Sequence, residues 1–253
     1  METGISKAKK RLHLALDIGA QMLASGAEIE RVEDSLERIC KAFGAHEVEA
    51  FAITYMIAVT VSSDHFDDIT QIRRVKMNER NLSKLSELNA LSRAICENHM
   101  TFEEAQNRFQ EICHHKEHSL KVLMMIYALI SASFAIFFGG SSRDMVVSGL
   151  IGALIAPIDY ILMGISFNRF VRICVCSLCA GALSVFSIFL HAGNSADLIS
   201  IGNIMIFIPG VIFTTGITEI LSNNMLSGMT RVAEAMLLSV VIATGFVLAN
   251  IIL

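Results

Sequence analysis

Charge almost disappears from this 253-residue chain after residue 118, and that asymmetry limits how the chain can fold. Residues 1–118 hold 15 of the 20 Lys and Arg and 19 of the 24 Asp and Glu, a formal charge of −4; the remainder has five of each and is neutral. The first segment is long enough for one soluble domain. The second consists of apolar runs that approach the ~20 residues needed to cross a bilayer as a helix. The expected architecture is therefore a mainly α membrane protein: a small α+β cytosolic domain over 1–118, then a transmembrane domain over 119–253. Five spans are expected, at about 120–139, 145–165, 171–191, 198–221 and 230–252. Lys116, Lys121, Arg169, Arg172 and Arg231 fall on one side and Arg143 on the other. The excess of basic residues places the first domain in the cytoplasm and the C-terminus outside.

The fourth expected span is interrupted. Pro209-Gly210 lies near its middle, and Thr214, Thr215, Thr218 and Glu219 follow. Proline removes a backbone donor and clashes with the preceding turn, so the helix must kink or stop. Backbone groups freed at membrane depth need protein or water around them, an arrangement transporters use to build sites. Thr214 and Thr218 are one turn apart, as are Thr215 and Glu219, and together they form a polar face for a small solute. The plainer reading has the threonines bonding back to their own helix. Free amides after the break suit a carboxylate.

Acids within apolar spans are expensive and face a partner or water. Asp159 follows Pro157 in the second span, Glu219 ends the fourth, and Glu234 lies three residues after Arg231 in the fifth. Arg231 and Glu234 can form a simple pair on one helix face, and Glu219 can lie at the membrane interface. Asp159 can pair, protonate or bind a cation.

In the first domain, 7–25 and 27–43 read as helices joined at Ser25-Gly26. Residues 48–53, 56–61 and 69–75 read as strands, with a turn at 64–68, and 81–96 and 102–112 as helices. Thr101 and Glu104 form a capping box. The basic start, Lys7 to Arg11, resembles a signal peptide, but His13, Asp17 and Gln21 interrupt the apolar core and an amphipathic helix is expected instead. Cys40, Cys96 and Cys113 should be reduced thiols. Cys174, Cys176 and Cys179, among small residues, read as a packing face rather than a metal site.

No nucleotide-binding loop is present, which argues against a directly ATP-fuelled pump. The acidic balance and the absence of a basic, aromatic-rich run argue against nucleic acid. His114-His115-Lys116-Glu117-His118 fits H-x-x-E-H, a zinc-peptidase arrangement. No third ligand stands out, so no metal, cofactor or catalytic residue is expected. A zinc hydrolase remains the weakest alternative, after a regulatory or sensor subunit.

The chain resembles the threonine/serine exporter (ThrE-type) family along nearly its whole length. The resemblance rests on Ser25-Gly26-Ala27-Glu28, Arg31-Val32-Glu33 and Arg74, then Ile208-Pro209-Gly210, Thr214, Glu219, Gly228, Arg231, Glu234 and Ala235. Thr215 stands where Asn is common and Glu219 where Asp is common. Full-length members carry about ten spans, so a five-span chain resembles the split, YjjP-like form that works with a smaller, separate membrane protein. The resemblance implies export of threonine and serine, or of dicarboxylates such as succinate, at a bacterial inner membrane. Solute would be bound by Pro209, Gly210, Thr214, Thr215 and Thr218, and ions coupled by Asp159, Glu219, Glu234 and Arg231. Self-association is left open.

Overall fold

The computed structural model describes residues 4–63, 66–76, 80–97, 100–114, 119–165 and 168–252. The chain forms two compact units, one of Met1–Lys116 with Thr215–Arg231, the other of Glu117–Thr214 with Val232–Leu253.

The first unit follows the expected ααβββαα order: α1 (Gly4–Ala24), α2 (Ile29–Ala42), β1 (Glu47–Ile53), β2 (Met56–Ser63), β3 (Phe66–Arg74), α3 (Leu82–Cys96) and α4 (Phe102–His114). The sheet is antiparallel in the order β1-β2-β3. Val61, Val59 and Ile57 of β2 alternate inward opposite Val48, Ala50 and Ala52 of β1. They share a core with Leu16, Met22 and Leu23 of α1 and Val32, Leu36 and Ile39 of α2. β3 begins at Phe66, inside the stretch 64–68 expected as a turn. The expected capping box is present: Glu104 Oε2 accepts the Thr101 N–H, and Thr101 Oγ1 accepts the Glu104 N–H.

Helix α2 starts two residues later than the 27 expected from periodicity. Gly26 has φ +105°, and the amides of Gly26 and Ala27 bond back to the carbonyls of Leu23 and Met22. This left-handed stop closes α1 and holds Ala27 and Glu28 extended before α2 begins. The unit is completed by the end of α9 and the start of α10, described next.

The second unit contains α5 (Leu120–Phe137), α6 (Ser142–Gly164), α7 (Arg169–Phe189) and α8 (Ala196–Ile204), the start of α9 (Gly210–Leu221) and most of α10 (Met225–Ile252). Helices α5, α6, α7 and α10 are long and apolar enough to cross a membrane. Many of their exposed residues are large and apolar, among them Leu129, Leu150, Phe186 and Val240, as a lipid-facing surface requires.

The single helix expected over 198–221 is instead two short ones, α8 and α9, separated by Met205–Pro209. Pro209 has no N–H, and it biases Ile208 away from helical geometry. Before it, the amides of Ile206 and Phe207 reach only to Asn203 and Ile204, a tightened last turn. Helix α10, at 28 residues, starts before the expected 230. The chain turns into it at Asn223, whose φ of 64° lets Asn224 N–H return to Glu219 O.

Small residues let these helices approach closely. A Cβ at Gly152 would lie 2.5 Å from Ser131 Oγ, and one at Gly202 would lie 2.5 Å from Ser148 Oγ and 2.6 Å from Ser131 O. Between α7 and α10, a Cβ at Gly245 would lie 2.8 Å from Cys174 O, so the cysteine-rich stretch forms part of a packing face. Gly202→Val should destabilise the protein by about 1–3 kcal/mol or more through overpacking. Gly164→Ala, with nothing within 4 Å, should leave melting in detergent unchanged. Equal melting temperatures for the two variants would refute this packing.

Candidate functional site

Glu28, at the N-cap of α2, makes no side-chain cap bond. A residue 190 positions away does so instead: Glu219 Oε1 accepts the Ile29 N–H at 2.9 Å. A carboxylate at a helix N-terminus meets both a free amide and the positive end of the helix dipole. Glu219 and Arg231 are only 2% and 0% exposed. Arg231 Nη2 lies 3.7 Å from Glu219 Oε1 and donates to Ala27 O at 2.9 Å. The Gly26 stop thus exposes one carbonyl and one amide, and Arg231 and Glu219 engage one each.

Neighbouring contacts reinforce this arrangement. Ser227 Oγ accepts the Thr54 N–H from the β1–β2 turn at 3.2 Å. Arg80 passes over Gly26 and donates to Thr215 Oγ1 at 3.2 Å. A Cβ at Gly228 would lie 2.6 Å from Gly216 O, so glycine permits the close pairing of α9 with α10. Glu33 Oε1 accepts the Ala52 N–H at 2.7 Å. Burial pushes the Glu33 carboxyl up, the Ala52 bond opposes this, and the charges of Glu219 and Glu30 raise it further. The motif residues at 25–33 and those at 219–231 therefore form one cluster.

The threonines of α9 divide between two faces. Thr215 lies with Glu219 on the covered side, whereas Thr214 and Thr218 are exposed. Thr214 Oγ1 bonds back to Gly210 O and Val211 O at 3.1 and 3.2 Å. Pro209 is buried and Gly210 exposed.

Glu234 does not pair with Arg231. It accepts from Arg169 Nη1 at 2.9 Å, because Arg231 is directed to Glu219 and Ala27. Asp159 is held by Arg172 Nη1 and by the Tyr127 hydroxyl, each at 2.9 Å, with Cys176 Sγ at 3.7 Å. Arg172, which in sequence reads as one of the basic residues marking one side of the membrane, is a buried partner only 6% exposed. A third polar node precedes the break: Asn203 accepts from Ser131 Oγ at 3.0 Å and donates to Ile199 O at 2.9 Å and to Ser148 Oγ at 3.3 Å. Tyr127, Ser131, Ser148 and Asn203, and the pairing of Arg172, carry no motif in the sequence. Only helical spacing on facing spans could have suggested them. Of the H-x-x-E-H motif, His115 to His118 lie outside the described residues, and His114 Nδ1 is 2.8 Å from Gln110 O.

Four helices long and apolar enough to cross a membrane, with Asp159 and Arg172 buried among them, mark a membrane protein. A family model described as "Putative threonine/serine exporter" matches residues 13–253, and the chain belongs to that family. It is 20% identical over 250 residues to the "Probable succinate transporter subunit YjjP" of Klebsiella aerogenes, covering 98% of this chain and 96% of that protein. It is 22% identical over 254 residues to the "Pheromone-regulated membrane protein 10" of Pichia sorbitophila, covering 96% of this chain and 25% of that protein. No solved structure matches it.

Two predictions follow from the buried cluster. Glu219→Ala removes the carboxylate beside the buried Arg231 and the acceptor of the Ile29 N–H, and should cost about 3–5 kcal/mol. Adding Arg231→Met should restore part of that loss rather than add to it; additive losses in melting temperature would show that the two groups are not coupled. Glu33→Gln keeps the acceptor for Ala52 and removes a charge that burial disfavours. Because the folded carboxyl is raised above its ordinary value, its ionisation destabilises the fold above that range and the penalty fades as the pH falls. The variant should therefore melt higher than the parent at pH 7, and the gap should close towards the ordinary carboxylate range near 4.5. Melting curves across that pH range test this.

Proposed function

We propose that this protein is the larger subunit of a secondary exporter for a small carboxylate-bearing metabolite, threonine/serine or a dicarboxylate such as succinate. It works with a separate small multi-span membrane protein in a bacterial inner membrane. The N-terminal domain is cytoplasmic, an orientation that rests on Lys116, Lys121 and Arg169 against Arg143. The second subunit is suggested by the Klebsiella relative, whose name calls it a subunit.

The observation that carries this reading is the interrupted helix. Helices α8 and α9 are separated by Met205–Pro209, with the buried amide of Asn203 just before the gap. Non-helical backbone at membrane depth is tolerated where it lines a path or is packed in protein. In this reading Pro209 and Gly210 open the helix, and Thr214, Thr215 and Thr218 contribute hydroxyls to the solute. Asp159, Glu219 and Glu234, with Arg231, couple ion movement to alternating access. The chain performs no catalysis and needs no cofactor.

Cells carrying the gene together with its partner should export labelled serine, threonine or succinate several-fold faster than cells lacking it. Unchanged efflux of all three would count against the reading. Pro209→Ala, which restores a backbone donor, should slow efflux while the protein remains in the membrane, as measured by immunoblot of membrane fractions.

A further inference from the structure

Helices α2 and α3 leave an open groove between them, with a volume of about 430 Å³, within the range of small-ligand sites. Leu36 and Ile39 of α2 and Leu88, Leu91 and Ile95 of α3 are buried in the core. Arg31, Ser35 and Arg38 of α2 line one wall of the groove, and Ser92, Arg93 and Cys96 of α3 the other. Steps of three and four residues keep each set on one helix face. Arg31 and Arg38 are two turns apart, so the groove runs for about 10 Å along α2.

Three guanidiniums therefore meet at one concavity, in a segment whose formal charge is −4. Like charges gathered side by side repel one another. Arg38 Nε pairs with Asp34 at 2.9 Å and Arg31 Nε approaches Glu28 at 4.0 Å, both across solvated side chains. Pairs of that kind contribute little to stability and need no cavity beside them. The groove is deeper than a solvated helix face requires: Ser92 is buried, and burial pushes the Cys96 thiol up. An anion that reaches this floor meets the arginines in a setting less screened than open surface.

We propose that the groove binds a small organic anion with two or more negative charges, a dicarboxylate or a phosphate ester, through Arg31, Arg38 and Arg93. A guanidinium presents paired N–H donors that match carboxylate and phosphate oxygens, and the Ser35 and Ser92 hydroxyls add donors beside them. Asp34 and Glu97 also line the groove, which leaves the five charged groups at a formal +1. That balance disfavours an anion able to meet only one arginine and favours one that spans several. Arg31 lies in the first turn of α2, two residues past the Ile29 amide that bonds to Glu219, so the anion would sit beside that junction. The site is separate from the residues of the exporter reading and gives the N-terminal domain a ligand of its own.

The test is calorimetric titration of succinate, for the dicarboxylates, and of glycerol 3-phosphate, for the phosphate esters, into the purified full-length protein. At least one should bind with a Kd below about 1 mM. The bound anion should slow alkylation of Cys96 by N-ethylmaleimide several-fold, read by peptide mass spectrometry, while Cys113, which does not line the groove, keeps its rate. Arg31→Gln/Arg93→Gln alters two exposed positions and should keep the melting temperature of the parent. It should lose about tenfold or more in affinity and lose the protection of Cys96. Arg93→Glu, made separately, should also lose the protection. Absence of binding by both anions, binding that leaves Cys96 alkylation unchanged, or protection that survives in both variants would overturn the groove site. The exporter reading stands or falls on the efflux measurement, which none of these outcomes decides.

Discussion

The first unit depends on a helix end that cannot cap itself. The extended residues after the Gly26 stop leave the Ala27 carbonyl and the Ile29 amide buried, with no local side chain to satisfy them. Glu219 and Arg231 supply the missing partners from 190 and 204 residues away. Each charged group also reduces the cost of burying the other, so the two helical turns that carry them are tied to the N-terminal domain fold. The close pairing at Gly228 and the left-handed turn at Asn223 then follow, because α9 must reverse directly into α10 for both side chains to reach the same helix end.

The second unit solves a different problem with similar chemistry. With no water to hydrogen-bond, its polar groups are satisfied in local sets: Asp159 with Arg172 and Tyr127, Glu234 with Arg169, and Asn203 with two serines and a carbonyl. The close helix approaches at Gly152 and Gly202 bring Ser131 and Ser148 within reach of Asn203. The backbone interruption at 205–209 therefore sits beside a polar node rather than against a purely apolar wall.

Much of this was legible in the sequence because it follows local rules. Alternation in β2, helical spacing in α2, the Thr101–Glu104 box and the length of the apolar runs each leave a short-range pattern, and each has its counterpart in the structure. Local rules also misled in two places. Spacing alone suggested Arg231 with Glu234, whereas tertiary geometry directs Arg231 elsewhere. Counting Arg172 only as a mark of the membrane side missed its pairing with Asp159, because hydropathy does not distinguish a snorkelling arginine from a buried one.

By itself the sequence determined that a charged domain precedes apolar helices of bilayer length, and that a helix reaching Pro209 must kink or stop there. These outcomes depend on composition, periodicity and the covalent geometry of proline. Only the tertiary structure decided which charges meet: Glu219 with α2, Arg231 with Ala27, and Arg172 with Asp159. Such pairings join residues 13 to 204 positions apart. They are selected by the cost of leaving a buried charge unmatched, a cost set by the packed surroundings and absent from any short stretch of chain.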